Sequence, residues 1–165
     1  MAKFAILEVL CHVQGFGMQI TRYTDYSIRV LAYCALKGDA LATTQEIADR
    51  YGVSGNHLVK VVQELSRLGY LEAVRGKGGG IRLARPPEAV NLGDLVRQME
   101  DMELVECFEA GNACPITAAC RLRGILGEAL RAFIGVLSRY TLADVVAAPD
   151  EMARLLDLPG RCGAR

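Results

Sequence analysis

Apolar residues recur at helical spacing along most of the chain, and one stretch in the middle breaks that period. Ile28, Leu31, Ala32 and Ala35 place one apolar face on a helix that Thr24 or Asp25 can cap, that runs to about Lys37 and that Gly38 ends. Thr43 or Thr44 caps a second helix, with Glu46 spaced for a capping box, Ile47 and Ala48 turned inward and Tyr51-Gly52 at its end. The turn Gly52-Val53-Ser54 leads to a third helix, capped by Ser54, with Leu58, Val61, Val62, Leu65 and Leu68 on one face and Gly69 as its stop. A short helix, a glycine turn and a second helix make a helix-turn-helix pattern. The period then changes. Tyr70 to Arg75 reads as a strand, Gly76-Lys77-Gly78-Gly79-Gly80 as a turn, and Ile81 to Ala84 as the returning strand, ended by Pro86-Pro87. A hairpin after a helix-turn-helix is the wing of a winged helix.

Asn91 caps a short helix through Met99, and an acidic loop with three cysteines follows. The longest helix runs from Arg121 to Tyr140, with apolar residues from Leu122 and Ile125 to Val136, Leu137 and Tyr140 in a broad stripe. That stripe is too wide for a solvent-facing helix on so small a domain, so it either buries one side in its own domain or packs on a second subunit. Thr141-Leu142-Ala143-Asp144 opens a last short helix, and the tail after Pro149 reads as loose. The fold class is mainly α: a winged helix-turn-helix with a two-stranded wing, then a cysteine-bearing loop and a long C-terminal helix. Residues 1–17 form an arm detached from the rest, either appended or an upstream-start artefact, because Met18 begins a segment that reads as an N-terminus by itself. Residues 18–90 are the winged helix, 91–148 the loop and long helix, and 149–165 a flexible tail.

Composition narrows the function. With 165 residues, 52% of them hydrophobic and 23% charged, the chain can bury a core. No apolar run approaches the roughly 20 residues of a membrane helix. The net charge is zero, but residues 50–85 hold seven basic and two acidic residues, whereas residues 86–165 hold eight basic and twelve acidic. Only part of the chain is therefore built to meet a polyanion. The N-terminus has one Lys and a short apolar run without a small-residue cleavage site, so a reducing cytoplasm is expected. Catalysis has little support: His12 lies in the arm, His57 lies on the third helix, no Ser/His/Asp arrangement is present, and Glu100, Asp101, Glu103, Glu106 and Glu109 read as a solvated acidic loop. The glycine-rich turn lacks the Gly-Lys-Ser/Thr ending of a phosphate loop and is flanked by strands on both sides.

The basic half suits double-stranded DNA. A recognition helix reaches base edges in the major groove with its N-terminal residues, here Ser54, Gly55, Asn56, His57 and Lys60. Asn pairs bidentately with adenine, Lys meets guanine or phosphate, and Gly55 lets the backbone come close. Arg75, Lys77 and Arg82 surround the wing tip and face phosphates or a narrow A·T minor groove. The plainer alternative is a solvated basic surface on a protein-interaction module.

The cysteines sort by position. Cys34 lies in an apolar helical pattern and reads as a small buried hydrophobe, while Cys11 and Cys162 sit in terminal segments. Cys107, Cys114 and Cys120 have spacers of six and five residues. Three thiolates can hold an iron–sulfur cluster or a metal, with a fourth ligand from elsewhere in the fold, a partner subunit or a small molecule. A zinc site, a disulfide switch and three unrelated cysteines stand as alternatives.

Several segments together carry a family resemblance. They are Thr24-Asp25-Tyr26, the run from Tyr51 to Lys60, the run from Val74 to Leu83, the three cysteines with Pro115-Ile116-Thr117-Ala118-Ala119 between the last two, and Tyr140-Thr141-Leu142-Ala143-Asp144. Over residues 18–146 the chain resembles the IscR–NsrR family of bacterial winged-helix iron–sulfur repressors, and most of all its nitric-oxide-sensing members. Asn56-His57 with Lys60 is a mark of that branch, and Arg123 stands where other members place a histidine ligand. The resemblance implies a homodimer on a DNA operator, with the long helix as the dimerisation helix. It also implies an iron–sulfur cluster, 4Fe–4S in preference to 2Fe–2S, held by Cys107, Cys114 and Cys120. A carboxylate matching the partner subunit's Asp25 would be the fourth ligand, and the plain alternative for Asp25 is a helix cap. The first spacer departs from the family, which has four or five residues where this chain has six. Nitric oxide is the implied effector, relieving repression of nitrosative-stress genes. An iron-supply regulator and a metal-free thiol regulator are the rivals on this scaffold.

Overall fold

The computed structural model describes residues 20–108 and 111–158. The arm at residues 1–17 and Cys162 lie outside the described residues. The elements run α1 (Arg22–Lys37), α2 (Thr44–Tyr51), α3 (Gly55–Arg67), β1 (Leu71–Val74), β2 (Gly80–Leu83), α4 (Leu92–Met99), α5 (Leu122–Leu137), α6 (Leu142–Val145) and α7 (Pro149–Leu155), with 3-10 turns at Pro87–Ala89 and Glu106–Phe108.

The first helix starts earlier than its sequence suggests. Thr21 is the N-cap, and its hydroxyl accepts from the Thr24 amide at 3.3 Å. Thr24 and Asp25 sit inside the first turn. Thr24 is fully buried there, and Asp25 pairs with Arg29 one turn on, a contact that only a helical backbone provides. In α2 the capping box forms as the spacing predicts, between Thr43 and Glu46. Glu46 does more than cap. Its carboxylate also accepts from the Tyr33 hydroxyl at 2.8 Å and from Lys37 Nζ at 2.8 Å, tying α1 to α2.

Leu31 and Tyr33 of α1, Ile47 of α2, and Leu58, Val61 and Leu65 of α3 meet in one core, joined by Leu95 and Leu142 from the C-terminal half. The wing follows α3 directly. Its strands pair antiparallel from Leu71↔Leu83 to Val74↔Gly80, and Ala42 adds a bridge to Ile81 with bonds of 2.9 and 2.8 Å. A Cβ at Gly79 would strike the Val74 carbonyl, so the tip closes only with glycine there. Arg85 fastens the wing root to α3. Its Nε and Nη2 donate to the Gly69 carbonyl at 3.1 and 2.8 Å, and its guanidinium stacks 4.6 Å from the Tyr70 ring.

The start of α4 is stapled to the end of α5. The Leu92 amide donates to Tyr140 O at 3.0 Å, Leu142 N to Val90 O at 2.9 Å, and Asn91 Nδ2 to Ser138 O at 2.8 Å. Gly93 lies directly against Ser138, where a Cβ would collide. Beyond that joint α5 is largely bare. Only Ile134 is buried, while Leu122 (48%), Ile125 (59%), Val136 (45%) and Tyr140 (49%) are exposed. Of the two expectations for the broad stripe, burial in its own domain fails for most of its length. The segment after Pro149, expected to be loose, forms α7 as far as Leu155. Pro149 stands in its first turn, where proline's fixed φ favours a helix. Arg50 holds Asp157 at 2.7 Å, and Leu156 and Leu158 pack on the core. Among the described residues no helix is long and apolar enough to cross a membrane.

Two outcomes follow from these contacts. Gly93→Ala wedges α4 from α5 and lowers unfolding stability by about 1–3 kcal/mol, the usual cost of overpacking, measurable by urea denaturation. For Glu46, burial pushes the carboxyl up, but hydrogen bonds from Lys37, Tyr33 and Thr43 outweigh it and hold the group below its usual value of 4.5. A lowered folded value contributes stability that is complete above that usual value and fades as pH falls through the lowered one. Glu46→Gln should flatten this acid limb in thermal melts across pH. An unchanged limb would remove Glu46 from the account.

Candidate functional site

Burying Leu58, Val61 and Leu65 turns the opposite side of α3 to solvent, which exposes Asn56, His57 and Lys60. Ser54 is the N-cap residue and makes no side-chain capping bond, which leaves its hydroxyl unspent on the helix. Gly55 is half-buried over α2. A Cβ there would meet Gln45 Oε1 at 3.5 Å, an ordinary contact, so the fold itself does not demand glycine at that position. The His57 ring stacks on Tyr26 with centroids 6.5 Å apart, and the Tyr23 hydroxyl donates to Lys60 O at 3.1 Å. The first turn of α1 thus buttresses the first turns of α3. Val59 and Gln63 are also exposed, one turn beyond Asn56 and one beyond Lys60. Their i+3 spacing was the available signal for including them.

On the wing, Arg75 and Lys77 are exposed and make no ion pair among the described residues. Arg82 differs. It stands opposite Glu72 in the strand register and holds its carboxylate at 3.0 Å. Arg85 is spent on backbone carbonyls, so the seven basic residues of segment 50–85 overstate the charge offered to a partner.

The cysteine loop joins α4 to α5. Cys107 lies in the 3-10 turn Glu106–Phe108, and Cys114 and Cys120 flank a series of turns. The Ala113 amide donates to Glu106 Oε1 at 3.1 Å, drawing the flank of Cys114 toward that of Cys107. The Thr117 hydroxyl lies 2.8 Å from both Cys114 O and Asn112 Oδ1, and the Cys120 amide donates to Ile116 O at 2.9 Å. All three thiols are free and half-buried. As a donor set they suit an iron–sulfur cluster, for which unpaired thiolates on one loop are the usual ligands. Their arrangement is not assembled: among the described residues no three His, Cys, Asp or Glu side chains gather to hold a metal ion. Cys34 stands apart, 1% exposed in the core, its thiol pushed up to about 12 by burial, as suits an inert hydrophobe. Asp25 lies on the first turn of α1, held by Arg29 through Nε at 3.0 Å and Nη2 at 2.9 Å. Arg29 also lies 6.0 Å from the Tyr26 ring and 5.7 Å from the Tyr51 ring.

Comparison with known proteins adds family membership to this geometry. Residues 20–148 match Rrf2, described as an iron-dependent transcriptional regulator. The chain is 49% identical over 144 residues to the HTH-type transcriptional regulator NsrR of Halalkalibacterium halodurans, covering 86% of this chain and 99% of that protein. It is 46% identical over 144 residues to the NsrR of Bacillus subtilis, with the same coverage. Among solved structures, T. potens IscR superposes with a TM-score of 0.65 at 23% identity, over 82% of this chain and 91% of that one, and shows the fold. CymR, the global cysteine regulator of B. subtilis, superposes with a TM-score of 0.57 at 26% identity, over 79% of this chain and 97% of that one.

The Arg82–Glu72 pair generates a prediction. Glu72→Gln should free Arg82 for phosphate, tighten binding to mixed-sequence duplex DNA, and steepen the salt slope by about 0.9, the value for one added phosphate contact. Titration at several salt concentrations measures it. An unchanged slope would remove Arg82 from the interface.

Proposed function

The chain belongs to the Rrf2 family of transcriptional regulators rather than to an enzyme family, and from that premise we propose that it is a homodimeric, cytoplasmic repressor that binds operator DNA and responds to nitric oxide through an iron–sulfur cluster. Each subunit places α3 in the major groove with its wing beside it. Ser54, Gly55, Asn56, His57 and Lys60 approach the bases, and Arg75 and Lys77 approach phosphate, with Arg82 beside them on the wing but held by Glu72. The observation that carries the dimer is the bare apolar stripe of α5. Leu122, Ile125 and Val136 of α5, with Tyr140 just beyond its end, are large apolar side chains left exposed, and a second copy would cover them.

Cys107, Cys114 and Cys120 would hold the cluster, 4Fe–4S in preference to 2Fe–2S, with the partner subunit's Asp25 as fourth ligand. A cluster held there would supply an iron with which nitric oxide can react. What this chain's residues contribute is transmission. Asp25, Arg29 and Tyr26 share the first two turns of α1, and Tyr26 stacks on His57 of α3. A change in what Asp25 binds would therefore reach the base-reading end of α3 through Arg29 and Tyr26. The relatives named NsrR support the nitric-oxide reading. The second reading, a thiol switch without metal, draws on the three free thiols and on the likeness to CymR.

The test is a visible absorption spectrum with iron and sulfide assays on anaerobically purified protein, before and after a stoichiometric pulse of nitric oxide, paired with an operator gel shift. The expected result is a charge-transfer band that nitric oxide bleaches, with operator affinity falling in step, and loss of the band in Cys107→Ser, Cys114→Ser and Cys120→Ser. A colourless protein that stays iron-free after reconstitution would sink the cluster reading and leave the thiol switch. A coloured protein whose operator binding ignores nitric oxide but follows iron supply would favour an iron-availability regulator.

A further inference from the structure

The outward face of α3 carries one residue that neither the core nor the polar contact set uses. Val59 is 44% exposed, whereas Val61 two positions on is fully buried and Val62 is half-buried. Asn56, Val59, Lys60 and Gln63 fall at i, i+3, i+4 and i+7, so they form one stripe, and all four are exposed. Three of them are polar, as a solvent-facing stripe requires. Valine is the exception: it is a poorer helix former than Lys or Gln, and its exposed methyls forgo the free energy of burial.

An isolated surface valine carries nothing by itself. This one sits between a carboxamide and an ammonium, on the helix of a winged helix-turn-helix, in a segment of the chain with seven basic and two acidic residues. The ligand that segment suits is duplex DNA. In the major groove each base pair presents donors and acceptors, and the one apolar group on a base edge is the C5-methyl of thymine. A stripe with Asn56 to pair an adenine edge, Val59 one turn beyond it and Lys60 beside it offers that groove one apolar contact among polar ones.

We propose that Val59 is a specificity residue that reads the C5-methyl of a thymine in the operator. The proposal rests on the DNA-binding reading of α3 and is independent of the cluster. It assigns Val59 a contact that cytosine or uracil at the same position cannot make, since uracil differs from thymine only in lacking the methyl.

The test uses the full chain and a duplex that it selects from a random pool. Each thymine is replaced singly by deoxyuridine, and affinities are measured for the wild type, Val59→Ala and Val59→Gln. The expected result is one thymine position in the recognised sequence at which deoxyuridine weakens the wild type about fourfold, which is ~0.8 kcal/mol for one buried methyl-sized group at 1.4 kcal/mol per tenfold. Both variants should bind the thymine and deoxyuridine duplexes there equally, with an unchanged salt slope. A role in folding would not produce this pattern, because it would weaken binding to both duplexes alike. Both replacements are at least as helix-favouring as valine, so folding is preserved, and circular dichroism checks it. The proposal is overturned if no thymine is methyl-sensitive in the wild type, or if the sensitive one stays sensitive in both variants. If the chain selects no duplex at all, the DNA-binding reading falls and takes the proposal with it. If it selects one but is indifferent to methyls, only the role of Val59 falls.

Discussion

Much of the DNA-facing side depends on one packing event, the burial of Leu58, Val61 and Leu65 against α1 and the wing. A helix has a single angular coordinate about its axis. Once those three side chains are fixed in the core, Asn56, Val59, Lys60 and Gln63 have nowhere to point but outward. The remaining freedom is translation and tilt, and contacts at the two ends remove it. At the N-terminal end, Tyr23 and Tyr26 of α1 meet Lys60 O and the His57 ring. At the C-terminal end, Arg85 takes the Gly69 and Leu68 carbonyls while stacking on Tyr70. The same clamp sets the angle at which the wing leaves the helix. An arginine that looks like part of a basic patch thus serves to aim the residues that form it.

The two halves of the chain differ in how complete they are. Residues of α1 to α3 and the wing fill a core that Leu95 and Leu142 complete, whereas α5 buries Ile134 and leaves much of its apolar side bare. Burying a large apolar side chain is worth about 1.5–3 kcal/mol, so a second copy covering Leu122, Ile125 and Val136 would supply several kcal/mol to association. A symmetric pair of α5 helices would also present two copies of α3 at a fixed spacing, which is what a palindromic site requires. On this view the stapling of α4 to α5 at Gly93 and Ser138 has a purpose beyond stability, because it makes the dimer interface and the winged helix move as one body.

The helices and wing were legible in the sequence because their signals are local: the Thr43–Glu46 box, the Gly52 turn, the period of Leu58, Val61 and Leu65, and the glycine tip. The misreadings came where a residue has two local meanings. Thr24 and Asp25 look like caps, but the burial of Thr24 and the Asp25–Arg29 pair place them inside the helix, with Thr21 as the cap. Pro149 looks like a terminator and starts α7 instead. The pairing of Arg82 with Glu72 depends on strand register, and the engagement of Arg85 depends on tertiary contact, so a count of charges saw neither. Cys107, Cys114 and Cys120 stood out by spacing alone. Their assembly is a different matter, because a metal loop gains its geometry with its ligand.

The start of α1 joins the contacts of Asp25 to those of α3. Asp25 is held by Arg29, and a half-exposed i,i+4 pair of this kind is worth only about 0.3–0.5 kcal/mol. Such a pair is strong enough to order the carboxylate and too weak to keep it from a better partner. If Asp25 turned to a ligand on the other subunit, Arg29 would be left between Tyr26 and Tyr51, and Tyr26 is the ring against which His57 rests. Coupling free energies between sites commonly amount to about 1–3 kcal/mol. In the proposed dimer a shift of that size would need no large rearrangement, only a small reorientation of the Tyr26 ring beside the first turn of α3. In the proposed dimer, the weakness of the Asp25–Arg29 pair would be a condition for signalling through α1, since a strong pair would fix the carboxylate and isolate α3 from the cysteine loop.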